Sequence, residues 1–156
     1  MGPLYHLQDK QNRLRCLSEA LRILKDNGIV ICEVISRYAN LLEGFQCYLI
    51  DDKLFVDILD ENLLNGNHSP GDTSYFTTAF FHTPEEIVKE LEQAGFVDIS
   101  IIAVEGFASI LDVSKFLNDE RRKELLLKYI NKTENIPELF GISVHLIATE
   151  KKPSKV

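Results

Sequence analysis

The chain has 156 residues, which is enough for one domain with its own core and too few to predict two. Hydrophobic residues make up 45% of the sequence, and no stretch approaches the roughly 18 consecutive apolar residues of a transmembrane helix, so we expect no membrane span. A net charge of -7 without a stripe of Lys and Arg argues against nucleic-acid binding.

The N-terminus does not have the pattern of a secretion signal. Asp9, Lys10 and Arg13 arrive where an apolar segment would be needed, so we expect a cytoplasmic protein. The three cysteines are widely spaced and lack the spacing of metal ligands, which favours reduced thiols that pack as small apolar side chains.

The first predicted elements are a helix and a buried strand. Apolar residues recur at steps of three and four from Gln8 to Asn27, which predicts an amphipathic helix that Gly28 would terminate. The following segment, Ile29 to Ser36, is almost continuously apolar and β-branched. That pattern indicates a strand buried on both faces and hence of the parallel type.

The next part of the chain is less regular. We predict two short helices, Tyr38 to Gln46 and Lys53 to Leu64. The run "NGNHSPGDTS" then collects many turn-forming residues and predicts an exposed loop.

The clearest local signal lies in "FFHTPEEIVKELEQAGF". Thr83 is placed to cap a helix that begins at Pro84, Glu86 completes a capping box, and Gly95 ends the helix. Its glutamates, which include Glu90, read as a solvated face. A strand from Val97 follows.

The C-terminal part predicts one more helix and a last strand. The helix starts at Asn118 or Asp119 and continues to about Ile130, packed by Leu125, Leu126, Tyr129 and Ile130. The strand runs from Ile142 to Thr149 with period-two alternation, which leaves His145 off the apolar set. A histidine hydrogen-bonded within the structure is favoured there, and a catalytic histidine is the alternative. We expect one domain over residues 1–150 and a frayed tail over 151–156.

In this order, five segments resemble the C-terminal half of a class I, Rossmann-like S-adenosylmethionine-dependent methyltransferase. They are "GPLYHL", "ALRILKDNG", "IVICEVISRYA", "FFHTPEEIVKELEQAGF" and "GISVHLIATEKK". The resemblance implies an α/β fold with about three main strands and flanking helices, one strand of the parallel type and two in an antiparallel closing pair. The last strand would lie between its two neighbours.

The resemblance also implies candidate site residues. Gly2, Pro3, Leu4 and Tyr5 would contact the methyl donor, S-adenosylmethionine; the alternative is a disordered or merely packed terminus. Residues expected to contact the methyl acceptor, a small molecule, are His6, Arg37, Tyr38, Phe81 and His82. The alternatives are that Arg37 is solvated and Tyr38 is packed in the structure. For Phe81 and His82 the alternative is packing at the start of the following helix. No catalytic or metal-binding residue can be nominated.

One departure from the family limits these expectations. The glycine-rich turn and the acidic residue that hold the donor are absent from the sequence. We therefore expect this partial domain to be inactive alone and its donor binding to be weak or lost. It would act as a homodimer or with a separate N-terminal half, because a missing neighbouring strand leaves an edge to pair. The alternatives are a non-catalytic interaction module and, less favoured, a nicotinamide-binding enzyme.

Overall fold

A computed structural model describes residues 4–71 and 75–154. The main helices there are α1 (Lys10–Ile23), α2 (Ala39–Gln46), α3 (Lys53–Asn65), α4 (Pro84–Ala94), α5 (Ser114–Leu117) and α6 (Glu120–Thr133). The strands are β1 (Ile29–Ile35), β2 (Asn67–His68), β3 (Ala79–Phe80), β4 (Val97–Ala103) and β5 (His145–Lys151). Short 3-10 turns cover Leu4–His6, Leu49–Asp51, Gly106–Ile110 and Pro137–Ile142.

A three-stranded sheet in the order β1-β5-β4 organises the chain. The last strand, β5, lies between the other two and is antiparallel to both, as expected. The expectation that β1 is a parallel strand is wrong, because its ladder in the described residues is the antiparallel one with β5. A single parallel bridge, Ser36 to His82, extends its other edge.

One face of this sheet is covered by two helices. Leu17 on α1 and Ile87 and Leu91 on α4 pack with Cys32 and Val34 of β1 in the main core. The opposite face is more open, because the alternate β1 residues Ile29 and Ile31 are 58% and 67% exposed. The expectation that β1 is buried on both faces is therefore wrong for its first half.

Local capping signals set the helix boundaries. Thr83 and Glu86 form the predicted capping box, and Gly95 ends α4 with a left-handed backbone. The side chain of Asp9 caps α1, but that helix ends at Ile23 rather than Asn27. Both helices between Arg37 and Asn65 form within a residue of their predicted limits.

One C-terminal prediction is corrected. Helix α6 forms, yet Leu126 is its one buried residue, and Leu125 and Tyr129 are 40% and 50% exposed. The described part of the C-terminal tail contacts the turn before β1. The Lys152 N–H donates to the Gly28 carbonyl at 2.9 Å, and Ser154 Oγ donates to Asn27 Oδ1 at 2.8 Å.

Candidate functional site

A cleft of about 830 Å³ opens at the carboxyl end of β1. Ile35 and the first turns of α2 form one side, the β2–β3 region forms another, and β5 closes the base with His145. Its polar and aromatic lining includes Asn40, Glu43, His68, Phe76, Phe81 and His145. The volume is typical of small-molecule sites in proteins.

His68 is a rigid part of the cleft wall. Its Nε2 donates to the carbonyl of Tyr75 at 2.8 Å, and its Nδ1 accepts from the amide of Asn40 at 3.0 Å. Burial lowers the pKa of His68, which agrees with this neutral tautomer. The ring is stacked on Phe81 with 5.0 Å between centroids. His68 was predicted to lie in an exposed loop, but it is 1% exposed.

Aromatic residues form part of the cleft lining. Phe55 meets Tyr75 edge to face, with 5.2 Å between the ring centroids. Phe76 has a left-handed backbone, with φ of 61°, and is 56% exposed at the cleft. Its ring lies 6.2 Å from that of His68. The exposed ring of Phe76 is therefore available to pack against a flat ligand at the cleft.

His145 and Glu105 are hydrogen-bonded to each other at the edge of the cleft. Glu105 Oε1 lies 2.7 Å from His145 Nδ1, and Glu105 Oε2 accepts from the main chain of His145 at 2.9 Å. Burial opposes the ionisation of Glu105, but these hydrogen bonds outweigh it and hold its pKa at about 2. The same hydrogen bond raises the pKa of His145.

A second polar cluster lies between α1 and α4. The Arg13 guanidinium binds the Glu90 carboxylate with contacts of 2.8 to 3.2 Å and lies 3.6 Å from the ring centroid of Phe80. Its Nη1 donates to the carbonyls of Leu7 and Gln8. Arg13 and Glu90 are 2% and 3% exposed, so the expectation that Glu90 lies on a solvated face is wrong.

Some residues predicted for the donor and acceptor lie near the cleft. Phe81 lines it, and His6 is stacked on Phe76 with 6.4 Å between centroids. Tyr5 packs against the small cluster around Ile35 and Phe81. Leu4 is buried in the main core, and Gly2 and Pro3 lie outside the described residues.

Arg37, Tyr38 and His82 are not among the residues that line the cleft. Arg37 is buried, with Nε donating to the Phe81 carbonyl at 2.9 Å and Nη2 bound to Glu86 at 2.6 Å. Its guanidinium thereby joins the end of β1 to the start of α4. Tyr38 precedes α2 and is 37% exposed.

His82 is fully buried. Its Nε2 lies 3.4 Å from Glu90 Oε2, and burial lowers its pKa. His82 Nδ1 has no hydrogen-bond partner among the described residues. The plain alternative of packing at the helix start describes the surroundings of His82 better than contact with an acceptor in this cleft.

Sequence reasoning missed several residues of the cleft. Asn40 and His68 are 28 positions apart and meet only when β2 folds onto α2. Glu105 and His145 are 40 positions apart. The one available signal was the position of His145 on the polar side of its strand, which indicated a hydrogen bond but not its partner or the cleft.

The described residues offer few means to hold a cofactor. Gly66, Gly71, Gly95 and Gly106 have positive φ, but none forms a glycine-rich turn between a sheet strand and a helix. No group of three His, Cys, Asp or Glu side chains in the described ranges is arranged to hold a metal ion. The donor-binding elements of the resembled family do not fit this part of the chain.

No protein-family model matches the chain, and no curated protein matches it. Across residues 4–71 and 75–154, none of the helices combines the length and apolar character needed to cross a membrane.

Proposed function

We propose that this chain forms the acceptor-binding side of an S-adenosylmethionine-dependent methyltransferase fold, and that the cleft at the end of β1 holds a small-molecule acceptor. The proposal is based on the strand order of the sheet together with the position of the cleft. The closing strand β5 lies antiparallel between β1 and β4, and the cleft opens at the carboxyl end of β1. In the resembled family β1 would belong to the parallel part of an open α/β sheet, whose ligands bind at this end of the strands.

The N-terminal turn supports the same proposal. Leu4–His6 lies against β1, with Tyr5 packed beside Ile35 and His6 against Phe76. In the resembled family this segment would border both the donor and the acceptor. The chain's own residues would bind and orient the acceptor there and exclude water around it. S-adenosylmethionine, when bound, would supply an activated methyl group.

The 156 residues do not by themselves provide a complete donor site. The loss of three hydrogen bonds of about 1.5 kcal/mol each corresponds to a loss of roughly a thousandfold in affinity. We therefore expect S-adenosylhomocysteine to bind this chain with a dissociation constant weaker than about 100 µM.

A titration with S-adenosylhomocysteine, followed by amide NMR and calorimetry, tests this function. We expect weak, saturable shifts at Tyr5, His6 and Ile35, with smaller changes on α6. The proposal fails if millimolar ligand causes no shift in Leu4–His6 or β1, or if the largest shifts fall on α6. Binding tighter than about 100 µM would contradict the account of an incomplete donor site.

A non-catalytic interaction module is the second candidate, and one observation favours it. Strand β1 is at the edge of the sheet, and its exposed Ile29 and Ile31 form an apolar pair beside that edge. Such an edge is a template for pairing with another chain, either a second copy or a separate N-terminal half. Sedimentation equilibrium at micromolar concentration tests the homodimer. A dimer that Ile31→Lys dissociates supports it, and a single-chain mass for the unmodified protein contradicts it.

A further inference from the structure

The two histidines of the cleft differ in what they offer a ligand. His68 has both ring nitrogens occupied, by Asn40 and by the carbonyl of Tyr75. His145 uses Nδ1 for Glu105, and no described residue hydrogen-bonds its Nε2. Its side chain is 35% exposed and lines the cleft. Of these two rings, His145 is therefore the one that can bind a polar atom of a ligand.

The orientation of His145 is fixed by a network around Glu105. The hydroxyl of Ser143 lies 2.9 Å from Glu105 Oε2 and accepts from the main-chain N–H of Gly106 at 3.1 Å. Ser143 is fully buried, and Glu105 Oε2 also accepts from the main chain of His145. A carboxylate held in this way fixes one ring nitrogen and leaves the other, Nε2, available for proton exchange.

The surrounding surface selects a flat, weakly acidic ligand. Phe76 provides an exposed aromatic ring at the cleft, and the buried rings of Phe55 and Phe81 form part of its apolar wall. Among the described lining residues there is no Lys or Arg, and Glu43 adds a carboxylate. The negative charge of Glu33 on β1 also helps to raise the pKa of His145. These negative charges oppose a phosphate or a carboxylate ligand, whereas a phenol enters without a full charge.

We propose that the cleft binds a planar aromatic molecule with an ionisable hydroxyl group, and that His145, oriented by Glu105, holds the hydroxyl oxygen through Nε2. This inference rests on the proposed acceptor cleft and names its substrate class. In the bound pair the phenol O–H bond breaks as the Nε2–H bond forms. The proton stays on the imidazole, and the resulting imidazolium lies between the phenolate and Glu105.

The test uses 4-nitrophenol as the probe, because its ionisation is visible in its absorption spectrum. 4-Nitroanisole is the matched ligand without the proton, and benzylamine tests a cationic ligand instead. No methyl donor is present, so the result is independent of the titration with S-adenosylhomocysteine. The protein variants are His145→Phe, Glu105→Gln as the positioning variant, and Lys132→Ala on α6 as a control outside the cleft lining.

We expect 4-nitrophenol to bind the unmodified chain and Lys132→Ala equally, with its absorption shifted towards the phenolate. His145→Phe should lose at least about tenfold in affinity together with that shift, since a hydrogen bond to a charged group contributes about 1.5–3 kcal/mol. Glu105→Gln should retain binding but show a smaller spectral shift. Circular dichroism of each variant checks that it is folded.

Three outcomes would overturn the inference. They are equal binding of 4-nitrophenol by His145→Phe, equal binding of 4-nitroanisole and 4-nitrophenol, and tighter binding of benzylamine than of 4-nitrophenol. A spectral shift that persists unchanged in both folded variants would also assign the proton acceptor to a residue other than His145.

Discussion

The two faces of the central sheet differ in how deeply their side chains are buried. The face under α1 and α4 buries Val34, Leu91 and Leu146 completely. The opposite face leaves Ile31 67% exposed and ends in the cleft with His145. The comparison indicates that stability is concentrated on the helix-covered face, whereas the open face and its cleft keep surface available for binding.

The polar pairs of the two sides show the same contrast. Arg13 and Glu90 are buried between helices, and the hydrogen-bonding groups that they do not share are occupied by main-chain carbonyls and by His82. Glu105 and His145 are about one third exposed, and one ring nitrogen of His145 has no partner among the described residues. We therefore expect changes in the first pair to affect folding and changes in the second to affect binding.

The largest expected effect is on the Arg13–Glu90 pair. Glu90→Gln leaves the Arg13 guanidinium buried without its counter-charge and should cost about 3–5 kcal/mol in the free energy of unfolding. The double variant Arg13→Met, Glu90→Leu should cost less than Glu90→Gln, because it removes both buried charges. Urea denaturation measures both. A loss below about 1 kcal/mol for Glu90→Gln would contradict the role assigned to the pair.

The next effect concerns Glu150, which is 1% exposed on the helix-covered face. Cys32 Sγ donates to its Oε1 at 3.1 Å, and burial raises its pKa to about 7. The carboxyl is protonated in both states below its ordinary pKa of 4.5. As the pH rises from there, the unfolded state ionises first, so up to about 3 kcal/mol of stability is lost by the time the pH passes 7.

Glu150→Gln keeps the shape and removes this titration. The difference in unfolding free energy between the variant and the unmodified chain should increase from pH 5 to pH 8 in favour of the variant. Taking the difference cancels the contributions of Glu90, Glu105 and the histidines. A difference that does not change across this range would show that Glu150 has an ordinary pKa in the folded protein.

A smaller difference in stability is expected between substitutions on the two opposite faces of β1. Val34→Ala removes methyl groups from the packed core and should cost about 2 kcal/mol. Ile31→Ala removes exposed side chain from the open face of β1 and should change the stability of the single chain by about 0.5 kcal/mol or less. Urea midpoints at low protein concentration compare the two. Equal losses would contradict the distinction between the faces.

The sequence predicted best what local residues determine. Thr83, Pro84 and Glu86 lie within one turn, so their capping box could be recognised without knowing the fold. The amphipathic stripe of Ile87, Leu91 and Ala94 likewise identified the buried face of α4. The order of the antiparallel strands was expected from the resemblance rather than from the pattern of any one strand.

The errors and omissions share a physical cause, which is pairing over long distances in the chain. Glu90 looked solvated because its partner Arg13 is 77 positions away. His68 was assigned to an exposed loop because Asn40 and Phe81, which enclose it, are remote in sequence. The cleft depends on such contacts, so its residues could be predicted only in part: Phe81 lines the cleft, and His6 lies beside it against Phe76.

The account distinguishes a helix-covered face that stabilises the fold from an open face that binds a ligand. The most direct test of this distinction is an amide NMR map of the unmodified chain titrated with 4-nitrophenol. The account predicts that the resonances of Asn40, His68 and His145 move together and saturate, while those of Leu17 and Leu91 stay in place. If instead the largest shifts occur at Leu17 and Leu91, between the helices and the sheet, the open face is not the binding side and the account is wrong.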